Sequence, residues 1–318
     1  MPKLSVVIPN YNGLKYLEGV LESLERQTMK DFEILLVDNG SVDKSCEYTA
    51  ENYPRVRQIR LEDNYGFCKA VNEGIKASNG EYVLLLNNDV EADPSFVLQM
   101  YEGIRRHPNA FSCQAKMLRF YDRDRIDDAG NYYCALGWAY ARGKGSYKDR
   151  CRREEPVFAT CAGAAIYRKS IFEKIGYFDE EHFAYLEDTD IGYRARIYGY
   201  ENWFLPEAIV YHVGSGTSGS RYNQFKTRYS SRNNIYMIYK NMPFLQILLN
   251  LPLLLFGFGV KLLFFSIKGL GSEYAAGIKN GFQISRKHKK CKFQMKHCTN
   301  YMKIQLELWG NVFRRFFR

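Results

Sequence analysis

The sequence predicts an α/β fold, a mostly parallel central sheet with flanking helices, joined to a C-terminal helical region that associates with a membrane. Three observations predict it. The first 90 residues alternate short apolar runs with helical patterns, and such alternation builds a parallel sheet covered by helices. Clusters of Asn and Asp stand directly behind three of the apolar runs, at the strand ends where folds of this kind collect ligands. From Pro243 onward the composition turns abruptly greasy and basic.

The elements follow in order. LSVVIP is the first strand and ends in Asn10-Tyr11-Asn12, and LKYLEGVLESLERQ carries the apolar spacing of a helix. FEILLVD is the second strand, closed by Asp38-Asn39, with a helix after Ser41. VRQIRL is the third strand, a helix runs around Phe67 to Ala77, and YVLLLN is the fourth strand. That strand ends in Asn87-Asn88-Asp89 before a turn at Asp93-Pro94. No GxGxxG follows the first strand, which disfavours a dinucleotide-binding oxidoreductase. Beyond Pro94 the pattern is irregular, and residues 121 to 155 read as short strands and loops. A second acidic cluster, Glu187-Asp188-Thr189-Asp190, opens the helical phrase IGYRARIYG.

With 46% apolar and 15% aromatic residues, the 318-residue chain has material for one large domain plus an appendage. Its eight cysteines include no CxxC pair, which fits reduced thiols better than a disulfide framework. No charged segment followed by an apolar one precedes the first strand, so the main domain is expected in the cytoplasm. Charge is unevenly placed. Residues 222 to 318 carry 17 Lys and Arg against 2 Asp and Glu, and the remaining 221 residues carry 28 against 33.

FLQILLNLPLLLFGFGVKLLFFSI is long enough to span a bilayer, for which roughly 20 apolar residues suffice. A central Lys at about +3 kcal/mol nevertheless offsets much of what Leu, Ile, Phe and Val contribute at about −0.3 to −0.6 each. Gln246, Asn250, Gly257, Lys261 and Lys268 fall on one stripe, and Pro252 is expected to break or kink the helix. A helix lying in the membrane interface accounts for that stripe. Near the C-terminus, Met302, Leu306, Trp309, Phe313 and Phe316 share one helical face. Lys303, Glu307, Asn311, Arg314 and Arg318 share the opposite one, the pattern of an interfacial anchor. The RKHKKCK run at 286 to 292 favours an anionic membrane surface. No nucleic-acid partner is expected, because the tail's aromatics form one helical stripe and not a stacking platform.

The phrases SVVIPNYNG, LLVDNGSVDKS, NYGFCKAVNEGI, YVLLLNNDV, CAGAAIYRKSIFEKIGYFDEEHFAYLEDTDIGYRARIYGY and IVYHVGSGTS occur in one order over residues 4 to about 240. In them the chain resembles the inverting family 2 nucleotide-sugar glycosyltransferases of GT-A fold, and within these the rhamnosyltransferase-like branch. The resemblance implies a glycosyltransferase domain over 1–240, with its nucleotide-binding half about 1–95 and acceptor half about 96–240, followed by a membrane-associating region over 241–318. It implies a nucleotide-sugar donor, with one L-rhamnose moved from dTDP-rhamnose to a lipid-linked saccharide acceptor during cell-surface polysaccharide assembly. UDP-glucose, UDP-galactose and UDP-N-acetylglucosamine stand as alternative donors. A non-catalytic sugar-nucleotide-binding assembly protein is the alternative from another class. The QxxRW phrase of processive synthases is absent. The expected location is the cytoplasmic face of the plasma membrane, with peripheral or monotopic attachment.

A departing diphosphate needs its charge offset, and a Mg²⁺ or Mn²⁺ ion on few protein ligands does this. By the resemblance, Asp89 is the metal ligand, in an Asp-X-Asp position whose first Asp is replaced by Asn87, and His212 faces the metal or the diphosphate. The same amides also suit a simple turn before Pro94. Inverting transfer needs a base for the acceptor hydroxyl, and the resemblance gives that role to Asp188. Glu187 then orients a partner, since neighbours on a regular strand face opposite ways, and Asp190 is a further candidate. The acidic cluster equally suits a helix N-terminus. Asp38 is implied to bind the base or ribose, with Pro9, Asn10 and Asn12 shaping that pocket. Asn64, Gly66 and Asn72 line the nucleotide, Gly66 by allowing close backbone approach. Arg228 and Arg232, one helical turn apart, either clamp diphosphate or lie on the surface.

Overall fold

Apolar β-branched runs bounded by Asn and Asp form strands here because both of their faces find a helix to cover them. The computed structural model describes residues 2–214 and 222–316. Its first half runs β1 (Leu4–Asn10), α1 (Leu14–Glu25), β2 (Phe32–Asn39), α2 (Ser45–Asn52), β3 (Arg57–Leu61), α3 (Phe67–Ala77) and β4 (Tyr82–Leu86). There follow β5 (Val90–Ala92), α4 (Phe96–Arg106), β6 (Ala110–Arg119), β7 (Asp122–Asp128), β8 (Asn131–Cys134), β9 (Trp138–Ala141) and β10 (Glu155–Val157). Then come β11 (Ala164–Arg168), α5 (Lys169–Ile175), α6 (Glu187–Ile197), β12 (Glu201–His212), α7 (Gln224–Asn241), α8 (Phe244–Ile267), α9 (Gly271–Ser285) and α10 (Cys298–Phe316).

Among the described residues, ten strands form one sheet, ordered β10-β12-β6-β11-β4-β1-β2-β3, with β5 and β7 paired at its margin. β3, β2, β1 and β4 are mutually parallel, as the β-α alternation predicts. β11 enters antiparallel between β4 and β6. This is the GT-A-like arrangement. Side chains alternate between two apolar layers. Leu4, Val6 and Ile8 of β1 join α1 and α4 in one layer, while Val7 joins α3 and α5 in the other. Strand register sets Asn10 beside Asp38, so the strands end together and their polar tails share one edge.

The C-terminal helices are fastened to this body. Leu254 of α8 with Ile304 and Leu308 of α10 share a core with Tyr133, Phe158 and Tyr193. α8 turns its polar stripe inward: Gln246, Asn250 and Gly257 are buried. Gln246 accepts a hydrogen bond from Tyr193 Oη at 2.8 Å, and Asn250 exchanges two 2.8 Å bonds with Gln305. Leu245, Leu248, Leu255, Phe256, Leu263 and Ile267 are left exposed. By length and composition α8 is able to cross a membrane. Pro252 is accommodated inside the helix, which continues unbroken from Phe244 to Ile267.

On α10 the expected polar face is a solvent face only in part: Lys303 and Arg314 are exposed, but the middle of the face is covered. Asn311 is fully buried and donates to Tyr133 O at 2.9 Å, and Glu307 pairs with Arg196. Met302, Leu306, Phe313 and Phe316 remain exposed, whereas Trp309 donates to Asn250 Oδ1 at 3.0 Å. Arg318, Met1 and residues 215 to 218 of the IVYHVGSGTS phrase lie outside the described residues. All eight cysteines are free thiols.

Candidate active site

The ends of β1, β2 and β4 open into one cavity of about 990 Å³. Pro9, Asn10 and Tyr11 line it from the end of β1, and Asn87, Asn88 and Asp89 from the turn after β4. Asn64 and Gly66 come from the loop before α3, Glu187 and Asp188 from α6, and His212 from the end of β12. Two acidic sites about a hundred residues apart in sequence therefore meet in one space.

Asp89 and His212 meet because β5 pairs with β12, placing Val90 opposite His212, and because Val213 N donates to Asp89 O at 3.0 Å. His212 Nε2 lies 3.4 Å from Asp89 Oδ1, and its Nδ1 lies 2.8 Å from Asp127 Oδ2. Lys144 sits 2.8 Å from the other oxygen of Asp127. Burial by itself would lower the His212 pKa, but its bonds to Asp127 and Asp89 win and raise it to about 9. A carboxylate and an imidazole facing each other, the imidazole held from behind by a second carboxylate, is the donor arrangement that suits a divalent cation. Two protein ligands would leave further positions for phosphate and water, so the residues present fit the group the resemblance implies. Among the described residues no group of three or more His, Cys, Asp or Glu side chains is arranged to hold a metal ion between them.

Glu187 and Asp188 belong to the first turn of α6 and not to a strand, so both line the cavity. Asp188 Oδ2 accepts from Asn131 Nδ2 at 2.9 Å, and its Oδ1 from Thr189 N at 2.6 Å. Burial pushes both carboxyls up, Glu187 further because Asp188 is its neighbour and Asp188 further because Asp128 is close. Glu187 Oε2 is sealed from solvent without a hydrogen bond among the described residues. Two adjacent carboxyls in poor solvent hold on to a proton between them. A carboxylate whose proton affinity is raised toward neutrality can take a proton from a sugar hydroxyl and keep it.

Five of the expected nucleotide-side residues do not line the cavity. Asp38 is turned to Asn10 Nδ2 at 3.0 Å and Ser41 N at 3.0 Å, so it props Asn10 from behind. Asn12 pins the following loop through Ser41 and Val42. Asn72 bonds both backbone groups of Phe178 and the Glu180 carboxylate. Arg228 lies 3.8 Å from Glu273 on the outer side of α7, and Arg232 donates to the carbonyls of Glu181 and His182. Gly66 is required, but for a different neighbour. Its φ is +87°, and a Cβ there would lie 2.5 Å from the Phe183 ring. Asp190 is fully buried between Arg194, Lys240 and Asn241 and is closed off as a base.

Sequence reasoning missed Asp127 and Asn131, and it named Asn39 only as part of a strand-end pair without giving it a role. Asn39 lines the cavity and donates to Asn64 Oδ1 at 2.9 Å. Its adjacency to Asp38 at a strand end was the available signal. Asp127 and Asn131 sit in the irregular stretch, where no periodicity marks them.

An α/β sheet that gathers amides, an Asp-His pair and two raised carboxyls at its strand ends defines a nucleotide-dependent transferase class. The model of glycosyl transferase family 2 matches residues 5–176, and the chain belongs to that family. It is 29% identical over 240 residues to the N-acetylglucosaminyl-diphospho-decaprenol L-rhamnosyltransferase of Mycobacterium tuberculosis, covering 68% of this chain and 78% of that enzyme. It is 24% identical over 225 residues to the poly-β-1,6-N-acetyl-D-glucosamine synthase of Staphylococcus epidermidis, covering 70% of this chain and 52% of the synthase. Among solved structures, GalNAc-T7 with UDP, GalNAc and Mn²⁺ matches with a TM-score of 0.59 at 16% identity, over 75% of this chain and 48% of that one. TarS residues 1–349 of S. aureus matches with a TM-score of 0.53 at 18% identity, over 96% and 80%. These two likenesses concern the fold.

Proposed function

We propose that this glycosyltransferase moves one L-rhamnose from dTDP-rhamnose to a hydroxyl of a lipid-linked saccharide, with inversion at the anomeric carbon. One observation carries the reading: Asp89 with His212, and Glu187 with Asp188, line the same cavity. The acceptor oxygen attacks the anomeric carbon, the bond to the diphosphate oxygen breaks, and the nucleoside diphosphate leaves with the electron pair. Asp188 takes the hydroxyl proton. Asn131 and Thr189 hold its carboxylate in place, and Glu187 keeps a proton, so only one negative charge sits there. Asp89 and His212 would hold Mg²⁺ or Mn²⁺, which when bound offsets the charge of the leaving group. Pro9, Asn10, Asn39 and Asn64 form the polar floor for the nucleotide. The choice of L-rhamnose and of a lipid-linked acceptor rests on the mycobacterial relative.

The exposed apolar side of α8 is read as the surface that rests on the membrane, with the basic run at 286 to 292 toward anionic headgroups on the cytoplasmic side. Gln246, Asn250 and Gly257 of its polar stripe are occupied by the protein, which leaves Leu, Phe and Ile as most of the outward face.

The test is turnover of purified protein with dTDP-rhamnose and a prenyl-diphosphate-linked saccharide, against UDP-glucose, UDP-galactose and UDP-N-acetylglucosamine, with the product's anomeric configuration read by NMR. Asp188→Asn is expected to lower kcat by about 10²- to 10⁴-fold. A full rate in that variant, or a retained anomeric configuration, overturns the mechanism.

A further inference from the structure

The loop between residues 182 and 186, which delivers Glu187 and Asp188 to the cavity, has a backbone its own sequence does not favour. Phe183, Tyr185 and Leu186 have φ of +60°, +73° and +65°, and none is glycine. At Phe183 the ψ of −61° and the 2.6 Å bond from Ala184 N to His182 O make a γ-turn of the rare positive-φ kind. Three such residues within four positions persist only where the surroundings hold them. Phe183, Tyr185 and Leu186 also line the cavity.

Much of the hold comes from one side chain. Asn233, fully buried in the middle of α7, aims its amide nitrogen at three carbonyls of the loop: His182 O at 2.9 Å, Ala184 O at 2.8 Å and Tyr185 O at 2.8 Å. Its own oxygen accepts from Arg232 Nε at 2.9 Å, and that guanidinium also reaches the carbonyls of Glu181 and His182. Two amide hydrogens are shared among three acceptors that point inward only because the backbone is bent. Removing them takes that donor from the half-buried Ala184 and Tyr185 carbonyls, while His182 O keeps Ala184 N and Arg232, and a straighter loop would release them.

We propose that Asn233, flanked by Arg232, is a positioning residue that fixes the strained loop and thereby the place of the Asp188 carboxylate relative to the reacting hydroxyl. This rests on Asp188 being the base. The donor floor formed by Pro9, Asn10, Asn39 and Asn64 takes no bond from Asn233, so loss of the clamp should act on the chemical step and spare donor binding.

The experiment compares Asn233→Ser with Asn234→Ser. Asn234 is the neighbouring buried amide, bonded to Tyr133 and Gly137 and not to the loop. For Asn233→Ser, kcat is expected to fall about tenfold or more while KM for the nucleotide sugar stays within about twofold. Asn234→Ser should keep its kcat at a comparable melting temperature. Arg232→Met, on the half-exposed flank of the clamp, covers the case in which Asn233→Ser does not fold and is expected to lower kcat in the same pattern. Unchanged kcat in Asn233→Ser, or in Arg232→Met if the first variant is unfolded, overturns the proposal, as does an equal loss in Asn234→Ser. Failure of the base assignment shows separately, as an Asp188→Asn variant that works at the normal rate.

Discussion

Asp188 has a proton affinity raised by burial and by Asp128, against which the bonds from Thr189 and Asn131 pull it down. A base works deprotonated, so activity should fall as pH drops through this raised value. The acid limb of kcat/KM is therefore expected above the ordinary aspartate value of about 3.9. Asn131→Ala removes one lowering bond and should move that limb to still higher pH, as a pH-rate profile would register. Behind His212, the Asp127 carboxylate orients the ring. Asp127→Ala should weaken Mn²⁺ binding in the presence of dTDP by about 10- to 100-fold, read by calorimetry. The residues that touch the cavity from strand ends were legible in the sequence because an Asn or Asp directly behind an apolar run has few other uses. The residues that hold others in place were not. Asp127, Asn131 and Asn233 act through contacts 48 to 85 positions away in the chain, and no local pattern marks such partners.

At the scale of elements, the parallel β-α units were readable because strand and helix periods differ and each unit is short. What the period of α8 did not reveal is which way it faces. A polar stripe on a greasy helix reads the same whether it meets water or a protein partner, and here Tyr193, Gln305 and Trp309 are that partner. The packing of α9 on α7 was also unreadable. Gly277 and Gly281, four apart, let the helices touch directly behind Arg232 and Asn233. A Cβ at Gly281 would lie 2.6 Å from the backbone oxygen of Arg232, an atom that has no rotamer to escape into. Gly281→Ala should therefore cost about 1–3 kcal/mol and lower the melting temperature by several degrees, with kcat reduced through the displaced clamp. A melting curve unchanged from wild type would contradict that packing.

Across the whole molecule, two properties should separate cleanly. Leu248 and Leu255 are exposed, so Leu248→Asp with Leu255→Asp should abolish flotation with anionic liposomes while leaving the melting temperature within about 1–2 °C. Asp190 governs stability instead. Burial works against its charge, yet Lys240 and Arg194 hold its carboxylate well below the usual range. The stability it contributes is complete above the unfolded aspartate value near 3.9 and is lost as pH falls further. Asp190→Asn should cost about 3–5 kcal/mol in urea unfolding at neutral pH, because it leaves the buried Arg194 without its carboxylate and Lys240 with Asp179 alone.

The core shared by α8 and α10 with Tyr133, Phe158 and Tyr193 means that this enzyme has no detachable tail. A polypeptide stopped at Met242 would bare a sticky aromatic wound and precipitate, so any change meant to make the protein more water-soluble belongs on the outer side of α8, with the chain left whole.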